Sequence, residues 1–506
     1  MLSKLEERGY VDTIAGNRDA LDQLMTNKRI GAYVGIDPTA PSMHVGHLLP
    51  LMTLFWLYVH GYHAVSLLGG ATAKIGDPTG RLKSREDQAS TVRKANMVSM
   101  HYQLKKLWVN VEQYGRRHGY EWEWAWHREL VNNNAWMNKL PAMELLQVLG
   151  SGVRIGTMLG RDTVKNKMNN GDGMSFAEFT YPVLQSWDWW YMYQTKGIQL
   201  QIGGSDQFGN IIAGIDAVKH VAKHHHNPDV RQEKEDPLML PYGFTVPLLT
   251  TSAGQKFGKS AGNAIWLDKD MTSCFDLYQF FLRSSDIDVE RYLKLFTFLP
   301  LAEIEAVMAQ HQEDPSQRKA QHLLAREFVE LVHGESEAAQ AEHQHRALFR
   351  KAPLLVAANQ AARLADDPAG PSAATPTTAA NAPGVQVTLP RSLVMKQSPA
   401  KILHAAGMVA SRSEGHRLLN QGGVYVGSRP GKSGVMGDSV DFTPMTLWEP
   451  VESEKYLLEG GILVLRAGKW KVKVIKVVSD EEYSTLGLHA PGWSGGHPPT
   501  TEETTP

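Results

Sequence analysis

A strand–helix–strand pattern between residues 31 and 70 constrains the fold more than any other feature of the sequence. Residues 31–37 (GAYVGID) are a short apolar run that ends at Asp-Pro, as a buried strand does, and residues 63–70 (HAVSLLGG) are a second such run. Between them, residues 48–60 have the length and composition of a helix. A strand, a helix and a strand within about 40 residues predict a βαβ unit and therefore an α/β fold with a parallel sheet.

Further strands and a helical region follow this unit. Residues 198–204 and 245–251 are predicted to be strands, so the α/β domain extends over residues 1–265. The following residues, 266–353, show a helical pattern in which strand signals fade. The first 353 residues therefore predict an α/β domain followed by an α-helical domain.

The composition changes sharply after the helical region. Residues 354–390 are rich in Ala, Pro and Thr and nearly free of large apolar side chains, which predicts a flexible linker, since such a segment buries too little surface to offset its ordering entropy. Residues 391–480 mix helix with short strands and predict a small α+β domain. Residues 481–506 are rich in Gly, Pro, Ser and Thr and are predicted to be a disordered tail.

Composition excludes several classes of protein. The single cysteine, Cys274, excludes a disulfide framework and a cysteine-based zinc site. The longest apolar run, residues 48–59, is shorter than the roughly 20 residues that a membrane-spanning helix needs, so no membrane partner is expected. The acidic residues near the start, such as Glu6 and Glu7, are not typical of a signal or transit peptide.

The first chemical motif lies between the first strand and its helix. His44 and His47 are three residues apart, so they would share one face of a helical turn, and Gly46 leaves room for a ligand close to the backbone. A helix N-terminus offers unpaired N–H groups and a positive dipole end, which suit a phosphate. The pattern predicts phosphate chemistry here, although two unrelated surface histidines, or a pair of metal ligands without a third, would give the same spacing.

The second motif is the segment 254–260 (GQKFGKS), which follows a predicted strand. Its two lysines, Lys256 and Lys259, can clamp a triphosphate and stabilise the charge of a leaving pyrophosphate. A Lys-x-x-Lys pair is by itself more often a solvated loop. The two motifs together, in this order and at these element boundaries, are far more specific than either one alone.

These motifs resemble those of the class I aminoacyl-tRNA synthetases, with HVGH in place of HIGH and KFGKS in place of KMSKS. Within that class the sequence is similar to the tyrosyl-tRNA synthetases over nearly its full length, through blocks such as YVGIDPTAPSMHVGHL, GGATAKIGDPTGR and LQIGGSDQFGNI. The insertions and the long linker are most similar to those of mitochondrial enzymes of filamentous fungi. The resemblance implies a Rossmann-type catalytic domain with a connective insertion at about 105–180, followed by a helical anticodon-binding domain.

By matching position, the resemblance implies three groups of site residues. The residues that bind tyrosine would be Tyr33, Asp37, Thr39, Asp77, Tyr181, Gln185, Asp188, Gln201 and Gln207. The residues that bind ATP or the adenylate would be Asp37, His44, Gly46, His47, Gly203, Gly204, Asp206, Lys256, Phe257, Lys259 and Ser260. The catalytic residues would be His44, His47, Lys256 and Lys259.

The implied reaction uses no side-chain nucleophile. Tyr33 and Asp188 would hydrogen-bond the phenolic hydroxyl of tyrosine, and Tyr181 and Gln185 would hold its α-amino group. ATP would enter as its Mg²⁺ complex, and no tightly bound metal ligated by the protein is expected. The tyrosine carboxylate would attack the α-phosphate, and the tyrosyl group would then pass to the terminal ribose of tRNA(Tyr).

The C-terminal domain resembles the RNA-binding domain of ribosomal small-subunit protein four. The matching segment lies within residues 398–427, and a predicted strand at 465–477 adds further lysines. Residues 391–480 contain 13 lysines and arginines against 8 acidic residues, a local charge of +5 in a chain whose net charge is −1. A positive surface of this kind attracts RNA phosphates. The predicted RNA contacts are Ser411, Arg412, Ser413, Arg417, Gln421, Lys469, Lys471 and Lys473.

The resemblance leaves an additional function and a competing one open. Fungal mitochondrial members of the family include proteins that also assist group I intron splicing, so intron RNA is a second predicted partner. The tryptophanyl-tRNA synthetases share the fold, but Tyr33, Asp188 and the RNA-binding end favour the tyrosyl branch. The family also implies a homodimer, location in the mitochondrial matrix after removal of a presequence, and insertions of unassigned role at about 111–136, 223–237 and 428–458.

Overall fold

The structure is a computed structural model of the chain. It describes residues 1–84, 88–121, 123–225, 231, 236–252, 254, 259–260, 263–349, 387–395, 397–428, 441–445, 456–457, 461–468 and 471–493. The chain divides into two compact units, Met1–Ala338 and Ala339–Pro506. None of the helices in these described ranges combines the length and the apolar character that crossing a bilayer requires.

Strands and helices alternate through the first unit until residue 264, after which it is helical. The strands are β1 (Thr13–Ala15), β2 (Gly31–Ile36), β3 (His63–Leu68), β4 (Arg128–Asn132), β5 (Ile198–Gly204), β6 (Tyr242–Val246), β7 (Lys259–Ser260) and β8 (Asn263–Ala264). The helices are α1 (Leu2–Arg8), α2 (Arg18–Asn27), α3 (Val45–Val59), α4 (Ser90–Arg117), α5 (Asn134–Met137), α6 (Ala142–Leu145), α7 (Ile155–Leu159), α8 (Asp162–Asn170), α9 (Phe176–Lys196), α10 (Phe208–His224), α11 (Cys274–Leu282), α12 (Val289–Phe296), α13 (Leu301–Glu313), α14 (Lys319–His333) and α15 (Glu335–Phe349), the last of which crosses the boundary between the units.

Six of these strands form one sheet in the order β1-β6-β5-β2-β3-β4. All neighbours in this sheet are parallel except β1 and β6, so the predicted α/β fold with a parallel sheet is confirmed. From β2 the chain proceeds to β3 on one side and later to β5 on the other. This reversal is a topological switch point, and ligands of open α/β sheets bind outside the carboxyl ends of the strands at such a point.

The first helix of the βαβ unit, α3, is buried along most of its length. The residues of its middle and end, from Leu51 to Val59, are all buried, so the helix is apolar on all sides. It begins at Val45, three residues earlier than predicted, because His44 acts as its N-cap. This earlier start places the histidine pair at the helix N-terminus.

One predicted strand boundary in this unit is wrong. The strand predicted at 245–251 lies at Tyr242–Val246 instead, because Pro247 lacks the N–H that would continue the ladder. The predicted connective insertion at 105–180 contributes one strand to the sheet. Its first part completes α4, and β4 is the edge strand beside β3.

The second unit contains a five-stranded sheet in the order β11-β10-β12-β13-β9. Its strands are β9 (Val387–Pro390), β10 (Val424–Ser428), β11 (Asp441–Pro444), β12 (Ile462–Ala467) and β13 (Lys471–Val478). Its further helices are α16 (Arg391–Val394), α17 (Pro399–Ala405), α18 (Arg412–Asn420) and α19 (Asp480–Thr485). Buried side chains from both sets form one core, so the predicted α+β domain is present.

Three boundaries predicted for this unit are wrong. The predicted linker, 354–390, ends too late, since Val387–Pro390 pairs with β13 as a parallel strand, whereas residues 354–386 lie outside the described residues. The predicted tail, 481–506, starts too early, because Tyr483 is buried and packs against Trp493. The single strand predicted at 465–477 is a hairpin of β12 and β13, which turns at Gly468 with φ at 63°.

Candidate active site

A cavity of about 820 Å³ opens at the switch point of the large sheet, outside the carboxyl ends of β2 and β5. It brings together fifteen of the predicted site residues. These are Tyr33, Asp37, Thr39, His44, Gly46, His47, Asp77, Tyr181, Gln185, Asp188, Gln201, Gly203, Gly204, Asp206 and Gln207. Lys256 and Phe257 lie outside the described residues, and Lys259 and Ser260 are described only as the backbone of β7.

Asp188 lies at the buried end of this cavity, on helix α9, and only 2% of it is exposed. One carboxylate oxygen accepts a hydrogen bond from Asn133 Nδ2 at 3.0 Å, and the other accepts one from Trp136 Nε1 at 2.7 Å. Each carboxylate oxygen has two lone pairs, so both can still accept from a ligand. The carboxylate is therefore fixed in place and able to receive one further donor.

Tyr33, on β2, is the second polar group at this end. Its ring packs edge-on against Trp189, with 5.9 Å between the ring centroids, and the residue is 1% exposed. Its hydroxyl is buried and has no hydrogen-bond partner. A buried polar group left unpaired costs about 1–3 kcal/mol, so a ligand hydroxyl that reaches Tyr33 gains more than it would in water.

Burial raises the pKa of Asp188 to about 7, against the opposing effects of its hydrogen bonds from Asn133 and Trp136. The negative charge of Asp37 raises the pKa further. The Asp188 carboxyl therefore titrates near neutral pH when the cavity holds no ligand. A donor that approaches the carboxylate favours its ionised form and lowers this pKa.

A chain of hydrogen bonds extends from Asp188 to the middle of the cavity. Asn133 Nδ2 also donates to Thr72 Oγ1 at 3.2 Å, and Thr72 Oγ1 donates to Asp37 Oδ1 at 2.8 Å. The other Asp37 oxygen accepts from the Tyr181 hydroxyl at 2.8 Å. A side chain at Gly69 would place its Cβ 1.9 Å from Asp37 Oδ1, so only glycine allows this arrangement.

A second network crosses the cavity beside Tyr181. Gln207 Nε2 donates to Asp77 Oδ2 at 2.6 Å, and the same Gln207 amide accepts from Gln185 Nε2 at 3.3 Å. Asn210, on α10, donates to Gln185 Oε1 at 3.2 Å. These groups present a carboxylate and amide oxygens on one side of the cavity, which suit an ammonium group.

The two histidines lie at the other, more open end, at the N-terminus of α3. Their rings stack, with centroids 3.9 Å apart and an interplanar angle of 28°. His47 Nδ1 accepts from the backbone N–H of His44, and His44 Nδ1 accepts from the backbone N–H of Gly46, both at 3.1 Å. An Nδ1 that accepts assigns the ring proton of a neutral imidazole to Nε2, so each ring can present Nε2–H as a donor.

His47 keeps this donor across the physiological pH range. Burial, together with the smaller effect of the neighbouring His44, lowers its pKa to about 3. The ring is therefore neutral at pH 7, and no change of charge accompanies hydrogen bonding to a phosphate. At Gly46, a Cβ would lie 2.9 Å from the His44 ring, so a larger residue would displace the pair.

The end of β5 forms the remaining wall. A Cβ at Gly203 would lie 2.7 Å from Gln207 Cβ, and one at Gly204 would lie 2.7 Å from Asp206 Oδ1. The backbone is therefore bare at the carboxyl end of this strand, which allows the close approach of a flat or sugar-like ligand. Thr39, opposite, is held by a hydrogen bond from its N–H to Asp37 O at 2.8 Å.

Five polar residues of the site were missed by the sequence analysis. Asn133 and Trp136 lie in the insertion at 111–136, and both side chains donate hydrogen bonds to Asp188. Their position just after β4 could have indicated them, since carboxyl ends of parallel strands meet at one edge. The others are Thr72, Arg81 and Asn210.

The predicted RNA contacts of the second unit fall into two groups. Ser411, Arg412, Ser413, Arg417 and Gln421 are exposed along α18 and its ends. Ser411 caps the helix, accepting from the Glu414 N–H at 3.2 Å. These side chains form one polar surface in which two arginines are accessible to solvent.

The lysines of the second group are described less completely. Lys473 lies on β13 opposite Leu465 and is partly exposed. Lys469 lies outside the described residues, and Lys471 is described only as backbone. The structure therefore shows the helix part of the predicted RNA surface and one residue of its strand part.

Two family models match the chain. The model described as tRNA synthetases class I (W and Y) matches residues 25–350. The model described as the tyrosyl-tRNA synthetase C-terminal domain matches residues 377–495. The first match contains the whole cavity, and the second contains the smaller sheet and its helices.

Curated relatives match over nearly the full length. The chain is 52% identical over 495 residues to the mitochondrial tyrosine–tRNA ligase of Podospora anserina, covering 97% of this chain and 76% of that protein. It is 32% identical over 480 residues to the mitochondrial tyrosine–tRNA ligase of Saccharomyces cerevisiae, covering 94% of this chain and 89% of that protein. These identities extend through both units.

A solved structure has the same fold in the first part of the chain. The C-terminally truncated mitochondrial tyrosyl-tRNA synthetase of Aspergillus nidulans is 57% identical, with a TM-score of 0.66. The match covers 69% of this chain and 94% of that one.

Proposed function

The chain belongs to the class I tRNA synthetases, in the tyrosyl branch, and on that premise we propose how each part of its cavity takes part in the ligation of tyrosine to tRNA. The protein is a tyrosine–tRNA ligase. It uses ATP to convert tyrosine to tyrosyl-adenylate with release of pyrophosphate, and transfers the tyrosyl group to tRNA with release of AMP. The roles of single residues below are our proposal.

The proposal that tyrosine is the substrate rests on the buried hydroxyl of Tyr33, which has no hydrogen-bond partner, and on the nearby Asp188 carboxylate. The phenolic hydroxyl of tyrosine donates to Asp188 and accepts from Tyr33, so one ligand group satisfies both. Phenylalanine has no hydroxyl and would leave both unpaired. The known rejection of phenylalanine by enzymes of this family, about 10⁵-fold, is an example of this rule.

The middle of the cavity holds the α-amino group of tyrosine. Tyr181, Gln185, Asp77 and Gln207 present oxygens around one position, and Asp77 is further fixed by the Thr79 N–H at 2.8 Å. An ammonium that is bound here turns the tyrosine carboxylate toward the open end. Thr39, Asp37 and the buried amide of Gln201 complete the walls around the amino acid.

The open end holds ATP and stabilises the transition state. The N–H groups at the N-terminus of α3 and the Nε2–H donors of His44 and His47 face the phosphates, while Gly203, Gly204 and Asp206 hold the ribose. ATP brings Mg²⁺ as part of the substrate. Positioning and charge stabilisation supply the rate, since the attacking group is the substrate's own carboxylate.

We propose that the lysine-bearing segment supplies positive charge to the phosphates of ATP. Val45 N–H donates to Ile265 O at 3.1 Å, and His44 pairs with Trp266 in an isolated bridge, so the chain just after this segment is attached to the N-terminus of α3. We assign Lys256 and Lys259 to the leaving pyrophosphate, with Phe257 and Ser260 beside the nucleotide. Arg81, which lines the cavity, is a further cation for the phosphates.

Tyrosine-dependent ATP–pyrophosphate exchange with a panel of amino acids tests this function. We expect exchange with tyrosine and background values with phenylalanine and tryptophan. Exchange with tryptophan at the rate for tyrosine, or the absence of any exchange by protein that is folded by circular dichroism, would contradict it.

We also propose a homodimer. The segment from α6 to the first residue of α9 exposes large apolar side chains, among them Ile155, 68% exposed, and Phe176, 78% exposed, together with Met143, Leu146, Leu159 and Met168. Exposed apolar clusters of this kind mark contact surfaces. Light scattering at several concentrations should give the mass of two chains for the unaltered protein and of one chain for Ile155→Glu, with Ile287→Glu, another exposed isoleucine, as the control.

The second unit is proposed to bind tRNA through the arginine-bearing face of α18. The relatives are named mitochondrial, which places this protein in the mitochondrion, and we propose the matrix, where mitochondrial tRNAs are charged. Arg412→Ala with Arg417→Ala should weaken tRNA binding without changing ATP–pyrophosphate exchange. The likeness to ribosomal protein four and the additional role in group I intron splicing stay predictions.

A further inference from the structure

Three metal-binding side chains meet at the amino ends of β3 and β4, at the opposite end of the strands from the cavity. His63 is the first residue of β3, His127 immediately precedes β4, and Glu129 lies within β4. The two strands are parallel, with Ala64 opposite Arg128, so His63 lies beside His127. Residues two apart on a strand share a face, which places His127 and Glu129 on the same side of the sheet.

The ligand atoms of these side chains are already close together. One nitrogen from each imidazole and one oxygen of Glu129 all lie within 4.8 Å of one another. The two rings stack, with centroids 4.1 Å apart and an interplanar angle of 16°. His63 Nε2 is 3.2 Å from Glu129 Oε1, yet this buried nitrogen has no hydrogen-bond partner.

The donor set fits one class of ion. Two imidazoles and one carboxylate form a typical set of three protein ligands for Zn²⁺, with a water in the fourth position. Zinc takes these ligands at about 2.0–2.2 Å, which brings them roughly 3.3 Å apart in a tetrahedron. From the present spacing, the two imidazoles must turn out of their stack so that one nitrogen of each faces the ion. His127 is exposed, so an ion can enter from solvent.

We propose that His63, His127 and Glu129 form a Zn²⁺ site that joins the edge strand β4 to β3. These residues lie at the end of the sheet opposite the cavity, so the ion would link the two strands and take no part in the ligation of tyrosine. At present His63 Nε2 and Glu129 lie close together without forming a hydrogen bond. With zinc bound, both would be ligands of the ion. It would also fix the chain that leads into Asn133 and Trp136, the partners of Asp188.

Lys196 sets the strength of this site. It is the last residue of α9, and its ammonium pairs with the second oxygen of Glu129. This cation repels an incoming metal ion and holds one carboxylate oxygen away from it. A second nearby cation, Arg128 on β4, pairs with Glu112 at 2.7 Å rather than with Glu129. Removing the charge of Lys196 should therefore raise the affinity for zinc.

Metal binding to the full-length protein tests the proposal. Chelator-treated protein is titrated with Zn²⁺, with Co²⁺ as a spectroscopic probe and Mg²⁺ as a hard-ion control, and Tm is measured with and without each ion. We expect one zinc per chain at this site, an upward shift of Tm with Zn²⁺ and none with Mg²⁺. Ligand-field absorption of Co²⁺ should report nitrogen and oxygen ligands in a tetrahedral site.

Variants assign the signal to these residues. His127→Asn changes an exposed side chain and should lower the zinc affinity at least about tenfold and remove the Tm shift. Lys196→Gln should raise the affinity several-fold, and His416→Asn, an exposed histidine of the second unit, should change neither. The proposal is overturned if His127→Asn binds zinc as the unaltered protein does, or if Mg²⁺ gives the same Tm shift.

Discussion

The two ends of the cavity are built differently, and in the proposed mechanism they recognise their substrates in different ways. At the tyrosine end, Asp188, Asn133, Thr72 and Asp37 are joined by side-chain hydrogen bonds inside the protein, and one buried hydroxyl is left for the ligand. At the ATP end, the histidines bond to backbone N–H groups, and the glycines of β5 leave the main chain bare. In the proposed mechanism, the fixed network discriminates between substrates, whereas the backbone donors and the imidazole N–H groups stabilise charge during the reaction. Substitutions at the tyrosine end should therefore affect tyrosine binding, and substitutions at the ATP end should affect the rate of adenylate formation.

The largest effect is expected for Asp188→Ala. It removes the acceptor of the substrate hydroxyl and leaves the donors of Asn133 and Trp136 without their partner in the buried end. The affinity for tyrosine should fall about 10³-fold, measured by equilibrium dialysis. The KM for ATP, measured at saturating tyrosine, should change little, and a comparable loss of ATP affinity would show that the two ends are not separate.

His47→Ala should produce the complementary result. Removal of one donor that acts on developing charge typically costs 10²–10³-fold in kcat, and we expect about 10²-fold here. Tyrosine affinity should stay within about twofold of the unaltered protein. Rapid-quench measurement of adenylate formation separates the rate from binding, and a variant that mainly weakens tyrosine binding would contradict the role given to this histidine.

The third prediction concerns Lys167, which connects elements of the two ends of the cavity. This lysine of α8 is fully buried, pairs with Glu178 at the start of α9, and donates to Ser84 Oγ at 3.0 Å, so it connects the tyrosine helix to the loop that carries Arg81. It acts as a positioning residue. Lys167→Met should raise the KM for ATP about tenfold and lower Tm, because it leaves a carboxylate unpaired.

The controls for Lys167 separate position from stability. Lys167→Met combined with Glu178→Gln should recover most of the lost Tm but not the KM for ATP, while Lys167→Arg should recover part of both. Recovery of the KM for ATP in the double variant would assign the whole effect to stability.

The smallest effect concerns pH. The free enzyme holds Asp188 with a pKa of about 7, and the tyrosine hydroxyl favours its ionised form, so tyrosine affinity should fall as pH drops below 7, by at most about tenfold per unit. Calorimetry at pH 6, 7 and 8 measures this, and Asp188→Asn should give a flat profile. Since this folded pKa lies above the unfolded value of about 3.9, the same group favours the folded state at low pH and loses that contribution as pH rises through 7.

At the ATP end, His47 should show no titration in the same window. The pKa of His47 is held near 3 by burial, so the ring stays neutral from pH 8 down to about pH 5. Its neutral form favours folding above the unfolded pKa of about 6.5, and this contribution declines as pH falls from there toward 3. A step in the rate of adenylate formation near pH 6.5 that disappears in His47→Ala would contradict this difference between the ends.

The sequence predicted those parts of the site that lie in continuous segments. The βαβ unit, the shared turn of His44 and His47 and the cavity at the strand ends follow from periodicity and spacing, and the structure confirms them. Asn133 and Trp136 were not predicted because their role depends on β4 joining the sheet as its edge strand. No local pattern reveals a contact with a helix that begins about 40 residues later.

The errors in element boundaries have similar causes. The single strand predicted at 465–477 is two strands that pair as a hairpin. The prediction joins them because the same alternation of apolar residues continues through both, and only Gly468 marks the turn. The predicted tail, 481–506, includes all but the first residue of the helix Asp480–Thr485, although Tyr483 attaches this helix to the core of the second unit. Local composition gives the elements, but long-range packing decides where they begin and end.

The central claim is that the buried pair of Tyr33 and Asp188 selects tyrosine through its phenolic hydroxyl. The ratio of kcat/KM for tyrosine to that for phenylalanine, measured by ATP–pyrophosphate exchange in the unaltered protein and in Tyr33→Phe, tests it most directly. Tyr33→Phe removes only the unpaired hydroxyl, so we expect the ratio to fall about tenfold with Tm unchanged or raised. A ratio equal to that of the unaltered protein would contradict the account.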